Sequence, residues 1–478
     1  MRNLTMLTDL YQLTMMYGYY KTGAYEEEAV YDLFFRRQNE MTNHAVCAGL
    51  EQVIELIENL KFQEEDIQYL RSLHLFDEAF LAFLKDFKFT GDLYAMPEGT
   101  IVFPMEPLIR VRAPICEAQL LETALLNIVN HQTLIATKAS RVCYSAQGDD
   151  VFEFGLRRAQ GPDAGIYGAR AAIIGGCTST SNVLTAQMFG APAAGTHAHS
   201  WVMSFPTELD AFRAYANLYP NTCVLLVDTY NTLKSGVPNA IKVFQEQRRK
   251  GFEPIGIRLD SGDLAYLSKQ ARRMLDDAGF PDCRIFASGD LDEYTIADLK
   301  SQGAKIDVWG VGTRLITGHD HPALGGVYKL AAIYPDGVEI PKLKISENAN
   351  KITNPGEKKV ARLYSREDGK AIADLIMLAS EELDETKPLR IFDPVETWKH
   401  MTVKDYTVRY LLVPVYQKGE LVYRSPILPE IAAYARAEQN TFWDEYLRVN
   451  RPHIYKVDLS DKLYDLKRQM IAEKTDFD

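Results

Sequence analysis

The fold is decided by four short apolar runs between residues 223 and 311, namely CVLLVD (223–228), IGIRLD (255–260), RIFAS (284–288) and IDVWGV (306–311). Each run is long enough for one buried strand. Helical patterns separate the runs, for example at residues 238–250 and 264–278. Continuous apolar strands that alternate with helices indicate a parallel sheet covered on both faces. This stretch therefore predicts an α/β domain.

Three more apolar runs extend the pattern toward the N-terminus. They are VFEF (151–154), AII (172–174) and AAGTH (193–197). A long succession of strand–helix units favours an irregular α/β barrel across residues 146–335, with an open doubly wound sheet as the alternative. Mixed helix and strand patterns flank it. They predict an N-terminal mixed α/β domain at 1–145 and a C-terminal α/β extension at 336–478 that packs on the first two domains.

Charge, hydropathy and cysteine pattern argue against several classes of protein. The formal net charge of -12 is unfavourable for general binding of nucleic-acid phosphates. No run of about 18 apolar residues occurs, so we expect no membrane span. The six cysteines form no CxxC pair, so we expect neither zinc nor a disulfide framework. Residues 1–20 include Asp9 and are followed by no small-residue cleavage site, so we expect a cytoplasmic protein.

Polar side chains recur where the predicted strands end, which is the active face of an α/β barrel. These residues are Arg157, Thr178, Ser179, His199, Asp228, Arg258, Asp260, Ser288, Asp290 and Thr313. One polar strand end carries little information. A succession of them predicts a binding site at the mouth of the barrel.

The segment His197-Ala-His199 is open to two interpretations. A metal pair is one of them, because residues two apart on a strand point the same way. Metal sites usually need about three or four ligands, and the later strands offer only His319 and His321 on one loop. We therefore favour a single reactive His199. Asp228 ends the next strand, and its carboxylate would hydrogen-bond one imidazole nitrogen and leave the other as a nucleophile.

Two acid-bearing turns and one glycine turn favour a phosphorylated sugar as ligand. Arg258 and Asp260 share a strand face, where the first would bind a carboxylate and the second a sugar hydroxyl or Mg²⁺ on a diphosphate. Ser288-Gly289-Asp290 repeats this arrangement in the next unit. Asp260 and Asp290 are therefore the candidate Mg²⁺ ligands. The backbone amides of Gly310-Val-Gly312-Thr313 would cradle a phosphate.

An aromatic ring and a guanidinium follow the run at 151–154. Phe154 and Arg157 suit a flat anionic ring, since the first would stack on it and the second would neutralise it. The alternative is a phenylalanine that lines the barrel beside a solvent-exposed arginine.

These residues, in this order, resemble those of nicotinate phosphoribosyltransferases. The matching stretches are TDLYQLTM (8–15), FGLRRAQG (154–161), GGCTSTSNV (175–183), GTHAHSW (195–201), VDTYNT (227–232), IRLDSGD (257–263), ASGDLDE (287–293) and WGVGT (309–313). The resemblance implies a homodimer that makes nicotinate mononucleotide and diphosphate from nicotinate and 5-phosphoribosyl 1-diphosphate. It also implies Mg²⁺, ATP as a co-substrate and a phosphohistidine.

The same resemblance implies roles for single residues. His199 would be phosphorylated, with Asp228 to orient it. Tyr11, from the other subunit, and Phe154 would cover the two faces of nicotinate. The carboxylate would be held by Thr196 and Arg258. The phosphoribosyl and phosphate groups would be bound by Arg157, Asp260, Ser288, Gly289, Asp290, Gly310, Gly312 and Thr313.

Ser179 bears on the choice of substrate. Related nicotinamide enzymes have an Asp in a GTDT motif where this chain has Cys177-Thr-Ser179-Thr180. An Asp would accept the amide NH₂ but repel a carboxylate, so Ser179 favours nicotinate. The alternatives are a nicotinamide or a quinolinate phosphoribosyltransferase, a metal-dependent amidohydrolase that uses His197 and His199, and a non-catalytic scaffold.

Overall fold

The computed structural model describes residues 3–37, 43–347 and 351–475, which form two compact units. Unit 1 takes in the described parts of 1–134, 323–426 and 433–478, and unit 2 consists of 135–322 and 427–432. Segments from both ends of the chain therefore share one compact unit. The predicted domain boundaries after residues 145 and 335 stay predictions.

The helices and strands are numbered along the described residues. The α-helices are α1 (Leu10–Thr22), α2 (Leu50–Glu58), α3 (Glu64–Ser72), α4 (Glu78–Lys85), α5 (Ile115–Leu120), α6 (Glu122–Ala146), α7 (Pro162–Ile174), α8 (Val183–Phe189), α9 (His199–Met203), α10 (Glu208–Leu218), α11 (Val237–Arg249), α12 (Leu264–Asp277), α13 (Glu293–Ser301), α14 (Thr313–Ile316), α15 (Leu428–Asn440), α16 (Asp444–Leu447) and α17 (Asp461–Thr475). The strands are β1 (Glu28–Phe35), β2 (Ala45–Val46), β3 (Asp92–Ala95), β4 (Ile101–Val102), β5 (Ile109–Pro114), β6 (Asp150–Glu153), β7 (Ser179–Thr180), β8 (Val224–Leu226), β9 (Gly256–Leu259), β10 (Arg284–Ser288), β11 (Val308–Val311), β12 (Gly326–Tyr334), β13 (Ile340–Pro341), β14 (Lys358–Ser365), β15 (Ala371–Leu378), β16 (Leu389–Phe392), β17 (His400–Val403), β18 (Tyr406–Tyr410), β19 (Val413–Gln417), β20 (Glu420–Leu421) and β21 (Val457–Leu459).

Unit 1 is built mainly on antiparallel pairing, with β21 parallel to β15. Its seven-stranded sheet has the order β13-β12-β1-β5-β3-β19-β20, and a four-stranded sheet has the order β18-β14-β15-β21. Strand β1 pairs with β12 on one side and β5 on the other, and seven of its eight residues are buried. Its nearly continuous apolar sequence follows from this central position. No helix among the described residues is long and apolar enough to cross a membrane.

Unit 2 contains a six-stranded parallel sheet with the order β7-β6-β11-β10-β9-β8. The four runs that open the sequence analysis form β8 to β11, and α11 and α12 lie where helices are predicted, so the α/β prediction is confirmed. Read from β8, the sheet follows chain order to β11, which then pairs with β6. This cyclic order differs from a doubly wound sheet, in which the strand order reverses at a switch point.

Two predicted strands of unit 2 are wrong. The run at 172–174 is the buried end of α7, and the strand comes later, as β7. A short apolar run does not distinguish a strand from a buried helical turn. The run at 193–197 forms only one bridge, between Thr180 and Ala193. Beyond it, the Leu226 amide donates to His197 Nε2 at 3.2 Å, so the segment contacts both β7 and β8.

Candidate active site

The carboxyl ends of the parallel strands surround a cavity of about 500 Å³ in unit 2. Parallel strands place their carboxyl ends on one edge of a sheet, which brings together side chains that are distant in sequence. The predicted site residues that line this cavity are Phe154, Arg157, Thr196, His199, Arg258 and Asp260. They come from the segment after β6, the segment at 193–197, the start of α9, and β9 with the turn after it.

A second cavity of about 420 Å³ extends the first, since both are lined by Phe154, Thr196 and Arg258. Gly310 of β11 lines this second cavity. A Cβ atom at Gly310 would lie 2.7 Å from the Phe154 ring, so the glycine leaves room for that ring. This steric role is independent of the phosphate contact that the sequence predicts for Gly310.

Arg258 is the centre of the hydrogen-bond network in the site. Its Nε donates to Ser288 Oγ at 2.8 Å, Nη1 donates to Thr196 Oγ1 at 2.9 Å, and Nη2 donates to Asp260 Oδ1 at 2.7 Å. The guanidinium carbon lies 5.6 Å from the centroid of the Phe154 ring. Each Nη nitrogen keeps a second N–H group that is available to a ligand. The network holds the guanidinium in place and leaves it able to bind an anion.

Asp260 is held as a carboxylate. Its Oδ1 accepts from Arg258 and also from the Ser288 hydroxyl, while Oδ2 lies 3.7 Å from His199 Nε2. Burial raises the pKa of Asp260, but the Ser288 hydroxyl and the Arg258 charge outweigh burial, so the pKa lies below its ordinary value. A negative charge is therefore maintained at the wall of the cavity.

Asp228 lies beneath His199 with its side chain only 2% exposed. Its Oδ2 accepts from the Asp260 amide at 2.8 Å and from the Ser261 hydroxyl at 2.7 Å. Among the described residues, its buried Oδ1 has no hydrogen-bond partner, and it lies 4.0 Å from His199 Nε2. The carboxylate thus faces the imidazole, at a distance longer than a hydrogen bond.

The two ring nitrogens of His199 have different surroundings. Nε2 faces the carboxylates of Asp228 and Asp260, whereas Nδ1 lies 3.1 Å from the Thr229 hydroxyl. Two negative charges beside Nε2 favour a proton on that nitrogen. The lone pair is then on Nδ1, where the Thr229 hydroxyl donates to it. This side chain is 39% exposed, so a ligand in the cavity can reach it.

His197 differs from His199 in burial and contacts. Its Nε2 accepts from the Leu226 amide, and its ring packs edge-on against Tyr215 with 4.7 Å between centroids. Burial lowers its pKa to about 4, so the ring is neutral at pH 7. Its Nε2 lone pair is already used by a backbone amide. This geometry favours a supporting role for His197 over the metal-pair interpretation.

Several predicted site residues do not line the first cavity. Ser179 is buried on β7, and Ser288 reaches the site through its bonds to Arg258 and Asp260. Gly289 has φ 99°, and a Cβ there would collide with the Asp260 carbonyl oxygen. Asp290 is exposed, also with a positive φ of 44°. Their ligand contacts stay predictions.

The remaining predicted residues lie on two helices. Gly312 precedes α14 and Thr313 begins it, directly after β11. Tyr11 lies on α1 of unit 1, where its side chain is exposed. An exposed aromatic side chain on a helix is consistent with the predicted contact across a subunit interface, which stays a prediction.

Sequence reasoning missed Thr229 and Ser181 in the site, and Glu153 in the core beside it. Thr229 contacts His199 directly, and Ser181 lines the cavity two residues after Ser179. Glu153 is fully buried, where its Oε2 accepts from the Thr180 hydroxyl at 2.6 Å and its Oε1 accepts from the Gly155 amide. Burial raises the pKa of this carboxyl. The sequence signal that could have identified Thr229 as a site residue is its position next to Asp228.

No group of three or more His, Cys, Asp or Glu side chains is placed to hold a metal ion in the described ranges. The chemistry of the donors still allows a cation that brings other ligands with it. Asp260 Oδ2 and the exposed Asp290 are carboxylate oxygens, which Mg²⁺ prefers, and Mg²⁺ commonly takes its remaining ligands from phosphates and water. These two residues therefore fit a Mg²⁺ ion that arrives with a diphosphate.

Comparison with known proteins relates this chain to one family. Family models match the nicotinate phosphoribosyltransferase N-terminal domain at residues 6–130, the nicotinate phosphoribosyltransferase family at 150–359 and the C-terminal domain at 357–467. A nicotinate phosphoribosyltransferase of Bacillus subtilis (strain 168) is 50% identical over 473 residues, which cover 98% of this chain and 96% of the relative.

More distant relatives agree over the same length. A human nicotinate phosphoribosyltransferase is 33% identical over 525 residues, which cover 98% of this chain and 96% of that protein. The crystal structure of human nicotinic acid phosphoribosyltransferase superimposes with a TM-score of 0.84 at 31% identity, and covers 97% of this chain and 100% of that chain.

Proposed function

Because the chain belongs to the nicotinate phosphoribosyltransferase family, we propose that it joins nicotinate to 5-phosphoribosyl 1-diphosphate in NAD biosynthesis, with hydrolysis of ATP. The products are nicotinate mononucleotide and diphosphate. One observation supports this function above the others. A single cavity is lined by an aromatic ring, two arginines, a reactive histidine and a carboxylate, contributed by Phe154, Arg157, Arg258, His199 and Asp260.

The nicotinate ring stacks on Phe154. Its carboxylate accepts hydrogen bonds from the free N–H groups of Arg258 and from the Thr196 hydroxyl. Arg258 donates to Thr196, so the two side chains meet at one point of the cavity. The Thr196 hydroxyl donates to the His197 carbonyl oxygen at 3.3 Å and would turn to the nicotinate carboxylate when it binds. A guanidinium can bind a carboxylate with two parallel hydrogen bonds. Ser179 adds no negative charge nearby. Tyr11 of the partner subunit covers the other face of the ring.

The phosphoribosyl diphosphate lies along the turns that follow β9, β10 and β11. Asp260 faces the ribose, where its carboxylate stabilises the positive charge that develops as diphosphate leaves. Ser288 and Gly289 form one edge of the phosphoribosyl site. The backbone amides of Gly312 and Thr313 donate hydrogen bonds to phosphate oxygens. Asp260 and Asp290 would hold Mg²⁺, which would neutralise the departing diphosphate. Arg157, on the cavity wall, contributes a second positive charge.

ATP acts through His199. Once the Thr229 hydroxyl turns away from Nδ1, the Nδ1 lone pair attacks the γ-phosphorus, the bond to the bridging oxygen breaks, and its electrons leave on ADP. The Nε2 proton stays on the ring, because Asp228 and Asp260 face that side. Phosphohistidine adds about -1.5 to -2 charges if it behaves like other phosphorylated residues. We infer that this added charge orders the mouth of the cavity and tightens the phosphoribosyl site.

Two structural features extend the proposal. The segment at 193–197 contacts β7 through Ala193 and β8 through His197, and we propose that it closes the cyclic sheet into an irregular barrel. The expected homodimer would supply Tyr11 from each subunit to the other. A cytoplasmic location remains the expectation.

The test supplies purified protein with Mg²⁺, ATP, 5-phosphoribosyl 1-diphosphate and either nicotinate or nicotinamide, and follows mononucleotide and ADP. The proposal predicts mononucleotide from nicotinate, with ADP formed beside it. Product from nicotinamide alone would assign the cavity to the other ring substrate. A lack of product from either, together with metal-dependent hydrolysis of amides, would favour the amidohydrolase alternative.

A further inference from the structure

Unit 1 contains a cavity of about 860 Å³, larger than the candidate active site of unit 2 at about 500 Å³. It lies among β21, the segment at 443–456 and the β16–β17 hairpin. None of the residues assigned above to nicotinate, ribose, phosphate or ATP lines it. A cavity of this size is within the range of small-molecule sites.

One wall of the cavity is aromatic. The Tyr446 ring lies 6.1 Å from Trp443, 5.5 Å from His453 and 5.2 Å from Tyr455, measured between centroids. Tyr455 is itself stacked on Phe103 at 4.1 Å, which fixes the inner end of the wall. The outer end is open, since Trp443 is 39% exposed. Such a wall suits a flat ring.

A buried carboxylate lies on the lining of the same cavity. Asp458 of β21 is only 1% exposed, and its Oδ2 has no hydrogen-bond partner among the residues that the structure describes. Lys456 Nζ lies 3.3 Å away without hydrogen-bond geometry. Burial raises the pKa of Asp458 to about 6. Asp458 forms an ion pair with Lys456, and its enclosed Oδ2 is closed to a ligand in the cavity.

Positive side chains lie on the lining as well. Lys399 and Arg448 both contact the cavity. Arg448 donates from Nε to the Arg451 carbonyl oxygen at 2.8 Å, which orients its guanidinium. Lys399 forms an ion pair with Glu396. Arginine in such a position binds phosphate through paired N–H groups.

We propose that this cavity is a second binding site, for a nucleotide. The base stacks on the wall formed by Trp443 and Tyr446. The phosphate accepts hydrogen bonds from Arg448 and Lys399. This site is distinct from the catalytic use of ATP proposed above, because all of its residues belong to unit 1 and the ATP-reactive His199 belongs to unit 2.

The probe is AMP, titrated calorimetrically into the full-length protein, with adenosine and ribose 5-phosphate as half-ligands. Trp443→Ala removes the exposed ring and should weaken AMP binding roughly tenfold, because one base–aromatic stacking contact contributes about that much to affinity. Arg448→Ala should weaken AMP and ribose 5-phosphate but leave adenosine unchanged.

Asp260→Asn, in the candidate active site, is the matched control and should leave this AMP binding unchanged. Both unit 1 variants should keep nicotinate phosphoribosyl transfer at the wild-type rate when no AMP is present. The proposal is overturned if wild-type protein binds no AMP. It is also overturned if Asp260→Asn abolishes AMP binding while Trp443→Ala and Arg448→Ala retain it, since AMP would then occupy the catalytic site.

Discussion

Two clusters of arginine and carboxylate side chains, one in each unit, differ in how completely their groups are paired. In unit 1, Arg362 and Asp374 are both 0% exposed and are joined by hydrogen bonds at 2.6 Å and 2.8 Å. Glu438 pairs with both Arg362 and Arg409, and Tyr455 donates to Asp374 at 3.0 Å. These ionic groups are enclosed by protein.

In unit 2, Arg258, Asp260 and Asp228 form a similar set around His199. Here Asp228 Oδ1 has no hydrogen-bond partner among the described residues, and His199 is 39% exposed. The same residue types therefore serve two purposes. A closed, paired cluster fixes the packing of strands, whereas an open cluster with spare groups can bind a charged ligand. This difference leads to the predictions below, in order of expected effect.

The largest effect is expected from breaking the closed cluster. Asp374→Asn leaves Arg362 buried without its full counter-charge, which should lower the free energy of unfolding by about 3–5 kcal/mol. Urea denaturation measures this change. Lys387→Ala, which breaks an exposed pair with Asp384, is the control and should leave the midpoint unchanged. Equal midpoints for Asp374→Asn and wild type would show that the closed cluster does not hold unit 1 together.

The open cluster should respond in the opposite way. Asp260→Asn should lower kcat/KM by roughly 10²–10³-fold, because the developing positive charge on ribose loses a carboxylate. Its unfolding midpoint should move little, since Asp260 is partly exposed. Asp263→Asn is the matched control in the same turn, where the carboxylate caps α12 by accepting from the Tyr266 amide at 2.9 Å. That variant should keep its activity and nearly all of its stability, because the asparagine oxygen can accept the same hydrogen bond. Similar activity losses in both variants would count against a specific role for Asp260.

The paired histidines of unit 2 allow a test by pH. An unfolded histidine titrates near pH 6.5, whereas burial lowers the pKa of His197 in the folded protein to about 4. The unfolded state therefore binds more protons between these values. Stability is full above about pH 6.5 and falls as the pH drops toward 4, by about 3 kcal/mol at most.

Unfolding free energies of wild type and His197→Gln, measured from pH 7 to pH 4.5, isolate this contribution. The variant lacks the titrating ring, so the wild type should lose more stability than His197→Gln as the pH falls. A difference between the two proteins that is constant with pH would mean that His197 is not held neutral by burial.

Part of this architecture was predictable from sequence. The runs that end at Asp228 and Asp260 were predictable as strands with functional side chains at their ends. An apolar run and a polar residue that follows it are both local sequence patterns. The run at 172–174 was wrongly predicted as a strand, since a buried helical turn has the same composition as a strand. The contacts of Thr229 and Ser181 depend on how neighbouring segments pack, which no local pattern records. The steric reason for Gly310 also appears only when the Phe154 ring is in place.

The smallest effect concerns substrate choice. Ser181 lines the cavity and Ser179 does not, although the sequence assigned specificity to Ser179. Ser181→Asp should raise the KM for nicotinate roughly tenfold, because like charges in a partly enclosed site repel each other. Ser179→Asp should raise it less. A larger rise for Ser179→Asp would return the specificity role to that residue and show that Ser181 does not face the carboxylate.

The central claim is that His199 couples ATP hydrolysis to nicotinate mononucleotide formation, and one assay tests it directly. ADP and mononucleotide are measured together for wild type and His199→Ala, with Mg²⁺, ATP, nicotinate and 5-phosphoribosyl 1-diphosphate present. The account predicts that ADP rises with mononucleotide in the wild type, and that His199→Ala forms no ADP and keeps at most slow, ATP-independent transfer. ADP and mononucleotide that still rise together in His199→Ala would contradict it.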